Sequence, residues 1–474
     1  MKIMIQGTSS SCGKSLTAAA LCRIFYKDGY SVCPFKSQNM SLNSFVTIEG
    51  YEMGRAQALQ AFAANIEPKV YMNPILLKPT TDHKSQVIFM GKPISNMGAK
   101  EYFDFKPRLK NKVYEIYKEI EDKYDVVVIE GAGSPAEINL KKDDFVNMGM
   151  AELADSNVIL VADIDRGGVF AQIYGTYMLL NKKERRRIKG VIINKFRGDK
   201  SLLEPGIKML EELIPVKVIG VVPYFEFNLD DEDSASGFKN FLREGINVAV
   251  VRLPKISNFT DFDAFKFEED VTLKFISRPE EMAGSDMVII PGSKNTISDL
   301  RWLKQKGFEQ AIKNFDGIVF GICGGYQMMG KELVDEEGVE VQKGEYEDGL
   351  GIFETKTVFL KEKRLERVEG TAFSNRVYGY EIHMGLTVNN KNPFVYLKDR
   401  LDGDYKEDRF YGTYVHGIFD SGEFRSYILN KIRRKKGLEE KSSLDLNEIR
   451  SRELDRLEEI FRENVDIEYI YSLL

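Results

Sequence analysis

Residues 7–15 read GTSSSCGKS and directly follow the short apolar run KIMIQ, residues 2–6. The usual phosphate-loop pattern, G-x-x-x-x-G-K-[ST], has four residues between its glycines, whereas Gly7 and Gly13 enclose five. The stretch SLTAAALCRIFYKDG that follows has helical periodicity and reaches a plausible stop at Gly29. A strand, a glycine-rich turn and a helix in this order surround a phosphate with backbone N–H groups. The sequence therefore predicts a nucleotide site.

The predicted ATP contacts in this loop are Gly7, Thr8, Gly13, Lys14 and Ser15. The lysine is expected to reach the β- and γ-phosphates, and the serine hydroxyl to bind Mg²⁺. An ordinary Gly/Ser loop is the alternative interpretation. A switch ATPase of the partitioning type is disfavoured, because those proteins carry an extra lysine early in the loop.

A second Mg²⁺ ligand is predicted in the stretch DVVVIEGAGSP, where Glu130 ends an apolar strand. Open parallel sheets place ligand groups at such strand ends, and a carboxylate can bind Mg²⁺ directly or through water. The alternative interpretation is a carboxylate that only caps a turn.

Composition narrows the class of protein. The 474 residues predict two or three domains, and the net charge of −6 gives no electrostatic reason to expect a nucleic acid or an anionic membrane as a partner. The four cysteines show no C-x-x-C pair and no zinc-type spacing, and no apolar run reaches membrane-span length. We therefore expect a cytoplasmic enzyme; nothing in the sequence indicates its oligomeric state.

Apolar runs divide the chain into an α/β domain at residues 1–228, a linker at 229–245 and a second domain at 246–435. Short Val- and Ile-rich runs separated by helix-length segments indicate parallel strands covered by helices. The second domain also contains runs that favour antiparallel strands, namely GIFETKTVFL, YGYEIHMGLTV and FYGTYVHGIF. The highly charged tail, residues 436–474, predicts a solvated helical appendage.

GICGG, residues 321–325, has the nucleophile-elbow spacing with Cys323 in the place of serine. Such a thiol needs a base, and the candidates downstream are His416 in TYVHGIFD and His383 in YEIHMG. Backbone N–H groups of the PGSKNT stretch and of the elbow are predicted to form an oxyanion and glutamine site at Gly292, Ser293 and Gly324. A buried cysteine that only packs is the alternative.

GICGG followed by TYVHG resembles the triad-type glutamine amidotransferases. Those domains carry Glu two residues after the histidine, whereas this chain has Ile418, as in the corrinoid amidotransferase subgroup. The residue that orients His416 is therefore open, with Glu381 and Asp420 as candidates. Without the usual carboxylate, the base is expected to be poorly oriented until ATP and the acceptor bind.

Motifs along residues 1 to about 430 closely resemble the cobyric acid synthase family: QGTSSSCGKS, KSQNMSLNS, GRAQALQA, YMNPILLKP, GAGSPAEINL, DIDRGGVFA, NKFRGD, PGSKNT, GICGGYQMMG, GYEIHMG and YVHGIFD. The resemblance implies an α/β chain with a dethiobiotin-synthetase-like phosphate-loop domain followed by a flavodoxin-like amidotransferase domain. Its substrates would be ATP with Mg²⁺, L-glutamine and adenosylcobyrinic acid a,c-diamide, which is amidated at four peripheral carboxylates. No tightly bound prosthetic group is expected.

Within this resemblance, Lys36 is predicted to approach the transferred phosphate and Asn194 the adenine edge. Asp165 and Arg166 are predicted on the acceptor side. The alternatives left open are a cobyrinic acid a,c-diamide synthase, another two-domain glutamine-dependent ligase such as one acting on a cell-wall precursor, and a non-catalytic nucleotide-binding assembly protein.

Overall fold

The computed structural model describes residues 1–81, 84–227, 229 and 240–474. The chain forms two compact units. The first contains Met1–Ser41, Glu52–Asp233 and Arg450–Leu474, and the second contains Leu42–Tyr51 and Ser234–Ile449. Most of the predicted linker, residues 230–239, lies outside the described residues. The first unit thus differs from the predicted domain at residues 1–228 in two ways. The internal segment Leu42–Tyr51 belongs to the second unit, and the C-terminal residues Arg450–Leu474 belong to the first.

The elements up to residue 227 include the predicted run of strands and helices. The strands are β1 (Lys2–Gly7), β2 (Val32–Phe35), β3 (Gln38–Met40), β4 (Ser44–Val46), β5 (Glu52–Gly54), β6 (Ile75–Thr81), β7 (Lys84–Phe89), β8 (Lys92–Gly98), β9 (Val126–Glu130), β10 (Asn157–Asp163), β11 (Ile188–Phe196) and β12 (Lys217–Pro223). The α-helices are α1 (Lys14–Lys27), α2 (Arg55–Ala63), α3 (Ala99–Glu121), α4 (Met148–Leu153), α5 (Val169–Leu179), α6 (Lys182–Arg187) and α7 (Glu204–Leu213).

The main sheet of the first unit has the strand order β12-β11-β10-β1-β9-β2, and every neighbouring pair is parallel. Its central strands β9 and β10 are buried along nearly their whole length, as expected for a parallel sheet covered on both faces. The six Val- and Ile-rich runs of the N-terminal half supply these six strands, so the predicted parallel α/β domain is confirmed.

A smaller sheet, β3-β6-β7-β8, was not predicted. Its β6–β7 and β7–β8 pairs are antiparallel, and β8 is largely exposed. The runs that form it carry many polar residues, and for this reason the hydrophobic pattern alone did not identify them.

The C-terminal tail is helical, as predicted, but it is not a solvated appendage. Helices α12 (Leu446–Asn464) and α13 (Ile467–Ser472) end the chain, and residues from Arg450 onward belong to the first unit. Leu454, Leu457 and Phe461 follow helical spacing and are buried in the same core as residues of α1. The high charge of the segment lies on its other faces and concealed this apolar stripe.

The second unit contains the remaining elements. Its strands are β13 (Ile246–Val251), β14 (Val271–Ile276), β15 (Met287–Ile290), β16 (Ile318–Ile322), β17 (Glu332–Asp335), β18 (Glu345–Asp348), β19 (Lys356–Ala372), β20 (Asn375–Val388), β21 (Val395–Leu397), β22 (Leu401–Asp402), β23 (Asp404–Lys406) and β24 (Phe410–Thr413). Its α-helices are α8 (Thr296–Gln305), α9 (Phe308–Lys313), α10 (Gly324–Met329) and α11 (Gly422–Lys436).

The first sheet of this unit has the order β14-β13-β15-β16-β24-β23, in which β23 alone is antiparallel to its neighbour. The five parallel strands follow the 2-1-3-4-5 order of flavodoxin-like folds. The long β19–β20 hairpin belongs to a second, mostly antiparallel sheet, as predicted. The run FYGTYVHGIF agrees with the prediction on one side only, because β24 is antiparallel to β23 but parallel to β16 in the first sheet.

None of the α-helices in the described part of the chain combines the length and apolar content that a membrane crossing needs.

Candidate active sites

The phosphate loop connects β1 to α1, and its backbone is left-handed at two residues. Gly13 has φ of 101°, a left-handed conformation that favours glycine, and a side chain there would collide with the Asn194 amide. Ser11, within the five-residue spacer, is also left-handed, with φ of 58°.

Side-chain donors hold three carbonyl groups of this loop, one donor from the loop itself and two from the end of β11. Nζ of Lys14 donates to the carbonyl of Ser9 at 2.9 Å. Nδ2 of Asn194 donates to the carbonyl of Cys12 at 2.9 Å, and Nζ of Lys195 donates to that of Ser11 at 2.7 Å. The turn is therefore fixed by charged and amide groups of the protein. This bracing is the kind of preorganisation that a phosphate site requires.

Thr8 and Asn194 are placed in supporting positions. The backbone N–H of Thr8 donates to Val161 at 2.9 Å, and its hydroxyl lies 3.2 Å from Oε1 of Gln172. Because the NH₂ group of Asn194 is engaged by the loop, this side chain braces the loop in the structure. The interaction with adenine remains a prediction.

Glu130 lies at the end of β9 with a complete set of partners. Oε1 accepts hydrogen bonds from Ser15 Oγ and from Lys36 Nζ, both at 2.8 Å. Oε2 accepts from Gln60 Nε2 at 2.6 Å and from Gln57 Nε2 at 3.2 Å. Sequence analysis placed the first three residues at this edge of the sheet; it missed the two glutamines of GRAQALQA, which lie on one face of α2.

Glu130 is fully buried, yet it stays ionised. Burial alone would raise the pKa of the carboxyl group, but the Lys36 ammonium and hydrogen bonds from Lys36, Gln60 and Ser15 hold it below its ordinary value. A carboxylate beside a serine hydroxyl is an oxygen donor set that suits Mg²⁺. Among the described residues, no group of three or more His, Cys, Asp or Glu side chains is arranged to hold a metal ion. A Mg²⁺ ion here would thus take its other oxygen ligands from phosphates and water.

The predicted acceptor residues follow the end of β10. Asp165 pairs with Arg197 at 3.0 Å, and Nε of Arg166 lies 3.6 Å from Asp163. Oδ2 of Asp163 also accepts a hydrogen bond from Nζ of Lys195 at 2.9 Å. Because the same Nζ donates to the carbonyl of Ser11, this edge of the sheet is linked to the phosphate loop. Asp165 and Arg166 thus stand on the exposed side of the same sheet edge, where they remain candidates for acceptor binding.

Cys323 lies in the second unit, between β16 and α10. Its φ of 51° and ψ of −107° are the strained backbone of a nucleophile elbow. A methyl group at Gly321 would come within 2.8 Å of the next turn, and one at Gly325 would collide with the carbonyl of Ile290. Gly321 and Gly325, the outer glycines of the GICGG motif, are therefore required by close packing around the turn that presents the thiol.

The predicted oxyanion residues surround this turn. A methyl group at Gly324 would lie 2.9 Å from the backbone nitrogen of Ser293, and one at Gly292 would lie 2.9 Å from Cε1 of His416. Ser293 donates its hydroxyl to buried Asp299 at 2.7 Å, which fixes the strand end. The structure thus brings Gly292, Ser293 and Gly324 together beside the nucleophile and its base.

His416 is held by a carboxylate that sequence analysis did not identify. Nδ1 of His416 lies 2.7 Å from Oδ2 of Asp261, and Oδ1 of the same carboxylate accepts from the backbone N–H of Gly417 at 3.1 Å. Asp261 lies in the 3₁₀-helix Phe259–Phe267, in the stretch NFTDFDAF. The proposals of Glu381 or Asp420 as the orienting group are wrong, and so is the expectation of a poorly oriented base.

Burial would lower the pKa of His416, but the negative charge of Asp261 and the neighbouring Cys323 raise it to about 10. Cys323 is also a hydrogen-bonding partner of this imidazole. His416 is therefore a base held beside the thiol that serves as the candidate nucleophile.

His383 has a different environment. Its Nδ1 lies 2.8 Å from the carbonyl of Gly385, and its Nε2 lies 3.2 Å from Oε2 of Glu381. Its ring stacks on Tyr414 with centroids 3.8 Å apart. Both ring nitrogens therefore face groups other than the Cys323 thiol.

Two family models match the chain, one in each half. Residues 3–233 match the CobQ/CobB/MinD/ParA nucleotide binding domain, and residues 247–424 match the CobB/CobQ-like glutamine amidotransferase domain. The first range contains the phosphate loop and Glu130. The second contains Cys323, His416 and Asp261.

Curated relatives match over their full length. The chain is 53% identical to the cobyric acid synthase of Clostridium acetobutylicum over 484 residues, which covers 100% of this chain and 98% of the relative. It is 53% identical to that of Clostridium botulinum strain Loch Maree and 52% identical to that of Clostridium tetani, with 100% and 99% coverage in both cases. Because these matches run through both sites and the C-terminal helices, the chain belongs to the cobyric acid synthase family of ATP-dependent glutamine amidotransferases.

Proposed function

We propose that the chain converts adenosylcobyrinic acid a,c-diamide to adenosylcobyric acid in cobalamin biosynthesis, by amidating four peripheral carboxylates with nitrogen from glutamine and energy from ATP. The full-length similarity to cobyric acid synthases carries this proposal. The division of the chemistry between a phosphate loop and a Cys–His–Asp site in separate units supports it. ATP and glutamine are cytoplasmic metabolites, and we place the reaction there.

The second unit would release ammonia from glutamine. Sγ of Cys323 attacks the side-chain carbonyl, and the oxyanion is stabilised by backbone N–H groups around Gly324 and Ser293. His416, oriented by Asp261, carries the thiol proton to the departing nitrogen. The C–N bond breaks, ammonia leaves, and water then hydrolyses the thioester to glutamate.

The first unit would activate the acceptor. An oxygen of the corrinoid carboxylate attacks the γ-phosphorus of ATP, ADP leaves, and an acyl phosphate forms. Ammonia then attacks the acyl carbon, the bond between this carbon and the phosphate oxygen breaks, and phosphate leaves. A free carboxylate is a poor acyl donor at neutral pH, so this phosphorylation supplies the leaving group.

The residues around Glu130 suit this step. Lys14 and the loop N–H groups would bind the β- and γ-phosphates. Lys36, which donates to Glu130, would approach the transferred phosphoryl group beside the Mg²⁺ site. Ser15 and Glu130 would hold Mg²⁺, which neutralises phosphate charge when bound. Asp165 and Arg166 are proposed for the acceptor side.

The test is an amidation assay on the full chain with ATP and Mg²⁺, using either glutamine or ammonium chloride as the nitrogen source. Adenosylcobyrinic acid a,c-diamide, cobyrinic acid and a corrinoid-free control are compared, and products are analysed by mass spectrometry. We expect fourfold amidation of the diamide from both nitrogen sources. Amidation of cobyrinic acid alone would indicate a diamide synthase, and ATP hydrolysis without corrinoid amidation would indicate a different ligase or assembly protein.

A further inference from the structure

A short segment from the N-terminal part of the chain lies against the glutaminase base. Residues Leu42–Tyr51 belong to the second unit. The backbone N–H of Ser44 donates to Oδ1 of Asn258 at 3.2 Å. At the other end of the same amide, Nδ2 of Asn258 lies 3.5 Å from Nε2 of His416. Asn258 therefore bridges the segment and the base.

The hydrogen-bond pattern fixes which way this amide faces. Because Oδ1 accepts an N–H, the NH₂ group must be the one that faces His416. Because Nδ1 of His416 faces the Asp261 carboxylate, the lone pair of the neutral imidazole is on Nε2. Once His416 has given its proton to the leaving ammonia, the NH₂ group of Asn258 and the water that hydrolyses the thioester thus compete as donors for this single acceptor.

Asn258 occupies an unusual backbone position. Its φ is 51°, in the left-handed region that few residues other than glycine and asparagine adopt. It directly precedes the 3₁₀-helix that carries Asp261, and it is buried. The chain therefore presents both neighbours of the imidazole, one on each ring nitrogen, from a single tight turn.

The same segment supports the face of the imidazole. Val46 packs in a buried cluster with Tyr380 and Ile382. The Tyr380 ring stacks on His416 at a centroid distance of 5.2 Å and an interplanar angle of 14°. Nε of Arg367 donates to the carbonyl of Val46 at 3.0 Å, which ties the segment to β19.

The two ends of the segment continue into parts of the chain that contact Glu130. Lys36 lies a few residues before Leu42, and Gln57 a few residues after Tyr51. A shift of these Glu130 ligands when phosphate binds would pull directly on the backbone of residues 42–51. This covalent link gives the nucleotide site a route to the glutaminase base.

We propose that Asn258 is a positioning residue of the glutaminase reaction and that residues 42–51 act through it as a brake. With the segment seated, the NH₂ group of Asn258 occupies Nε2 of the neutral His416 and hinders activation of the water that hydrolyses the thioester. When substrates displace the segment, Ser44 releases Asn258 and the base becomes free. The inference rests on the proposed function, because it explains why glutamine would be spared when no acceptor is bound.

Two substitutions at one position test the brake on the full chain, without ATP or corrinoid. Asn258→Ala removes the competing donor, and we expect kcat for glutamine hydrolysis to rise about threefold to tenfold, the effect of one hydrogen bond, with little change in KM. Asn258→Asp keeps an oxygen for Ser44 but directs a carboxylate at Nε2. This carboxylate would retain the proton needed by the leaving ammonia, so kcat should fall. Equal losses in both variants would overturn the proposal.

The segment itself is tested with two substitutions at Ser44. Ser44→Pro lacks both the hydroxyl and the donating backbone N–H, whereas Ser44→Ala lacks only the hydroxyl and keeps the N–H. Relative to Ser44→Ala, we expect Ser44→Pro to raise uncoupled glutamine hydrolysis, with no further rise when Asn258→Ala is added. Equal rates for the two Ser44 variants would refute the brake. Ammonium-dependent amidation of the diamide, measured in parallel, reports separately on the proposed function.

Discussion

Nδ1 of His416 lies 2.7 Å from Oδ2 of Asp261, a residue 155 positions earlier in the chain. This pair provides the third member of a catalytic triad in a domain that has Ile418 where related amidotransferases have glutamate. The carboxylate also accepts the backbone N–H of Gly417, so it fixes both the ring and the chain next to it. The tautomer of the base is therefore set by a residue on another element.

Asp261→Asn is expected to lower glutamine hydrolysis by roughly two to four powers of ten, because the amide can hold the ring in the wrong tautomer. Ammonium-dependent amidation should stay close to the wild-type rate, since that reaction bypasses the glutaminase site. Steady-state rates with the two nitrogen sources check this. Asp420→Asn is the matched control, and an equal loss in both variants would contradict the assignment of Asp261.

Cys323→Ala should abolish glutamine-dependent amidation and leave synthesis from added ammonium salts. The physical reason is that the thiol forms the only covalent bond to glutamine, whereas the phosphate loop lies in the other unit. Amide formation on the corrinoid is measured with each nitrogen source. Retention of glutaminase activity in this variant would show that another residue is the nucleophile.

The two histidines should respond differently to a glutamine affinity label. His416 contacts Asp261 and Cys323, whereas both ring nitrogens of His383 face acceptors, Gly385 and Glu381. We expect His416→Ala to lose covalent labelling of Cys323 and His383→Ala to retain it. Mass spectrometry of the labelled peptide distinguishes the two results, and the reverse pattern would exchange the roles.

Lys14→Ala is expected to reduce kcat/KM for amidation by about a hundredfold or more with either nitrogen source. The ammonium group lies inside the phosphate loop and would stabilise charge on the transferred phosphoryl group. Lys208→Ala, on an exposed position of α7, serves as the control for loss of a lysine. Full activity of Lys14→Ala with ammonium would disprove the nucleotide site.

Sequence reasoning succeeded where function and local structure coincide. The phosphate loop and the GICGG elbow are short motifs in which glycine spacing dictates the turn, and each stands between a strand and a helix. Glu130 was also predictable, because a carboxylate at the end of a buried strand points to the ligand edge of a parallel sheet. For these residues, sequence neighbours are also spatial neighbours.

Other parts of the sites depend on long-range contacts. Asp261 and His416 lie 155 positions apart and meet only in the folded second unit, and nothing in the stretch NFTDFDAF distinguishes this aspartate from Asp263. Gln57 and Gln60 look like ordinary helix residues until α2 faces Glu130. The apolar stripe of α12 was hidden by its many charges, although Leu454, Leu457 and Phe461 have core spacing.

The His416–Asp261 pair also predicts how the stability of the second unit depends on pH. Asp261 and Cys323 raise the pKa of folded His416 from 6.5 to about 10. A group whose pKa is raised on folding stabilises the fold fully below its unfolded value, and this contribution is lost as pH rises through the folded value. The stabilisation should therefore be complete below about pH 6.5 and decline progressively toward pH 10.

Trp302, the single tryptophan of the chain, lies on α8 of the second unit and reports its unfolding by fluorescence. We expect the urea midpoint of wild type to exceed that of Asp261→Asn by the largest margin at pH 6. This difference in urea midpoint should shrink at pH 8 and further at pH 10. The reason is that wild-type His416 then loses the positive charge that Asp261 stabilises. Asp420→Asn gives the baseline for removing a nearby carboxylate. A margin that is constant across this range would mean that His416 is neutral in the folded protein, and it would contradict the raised pKa of His416.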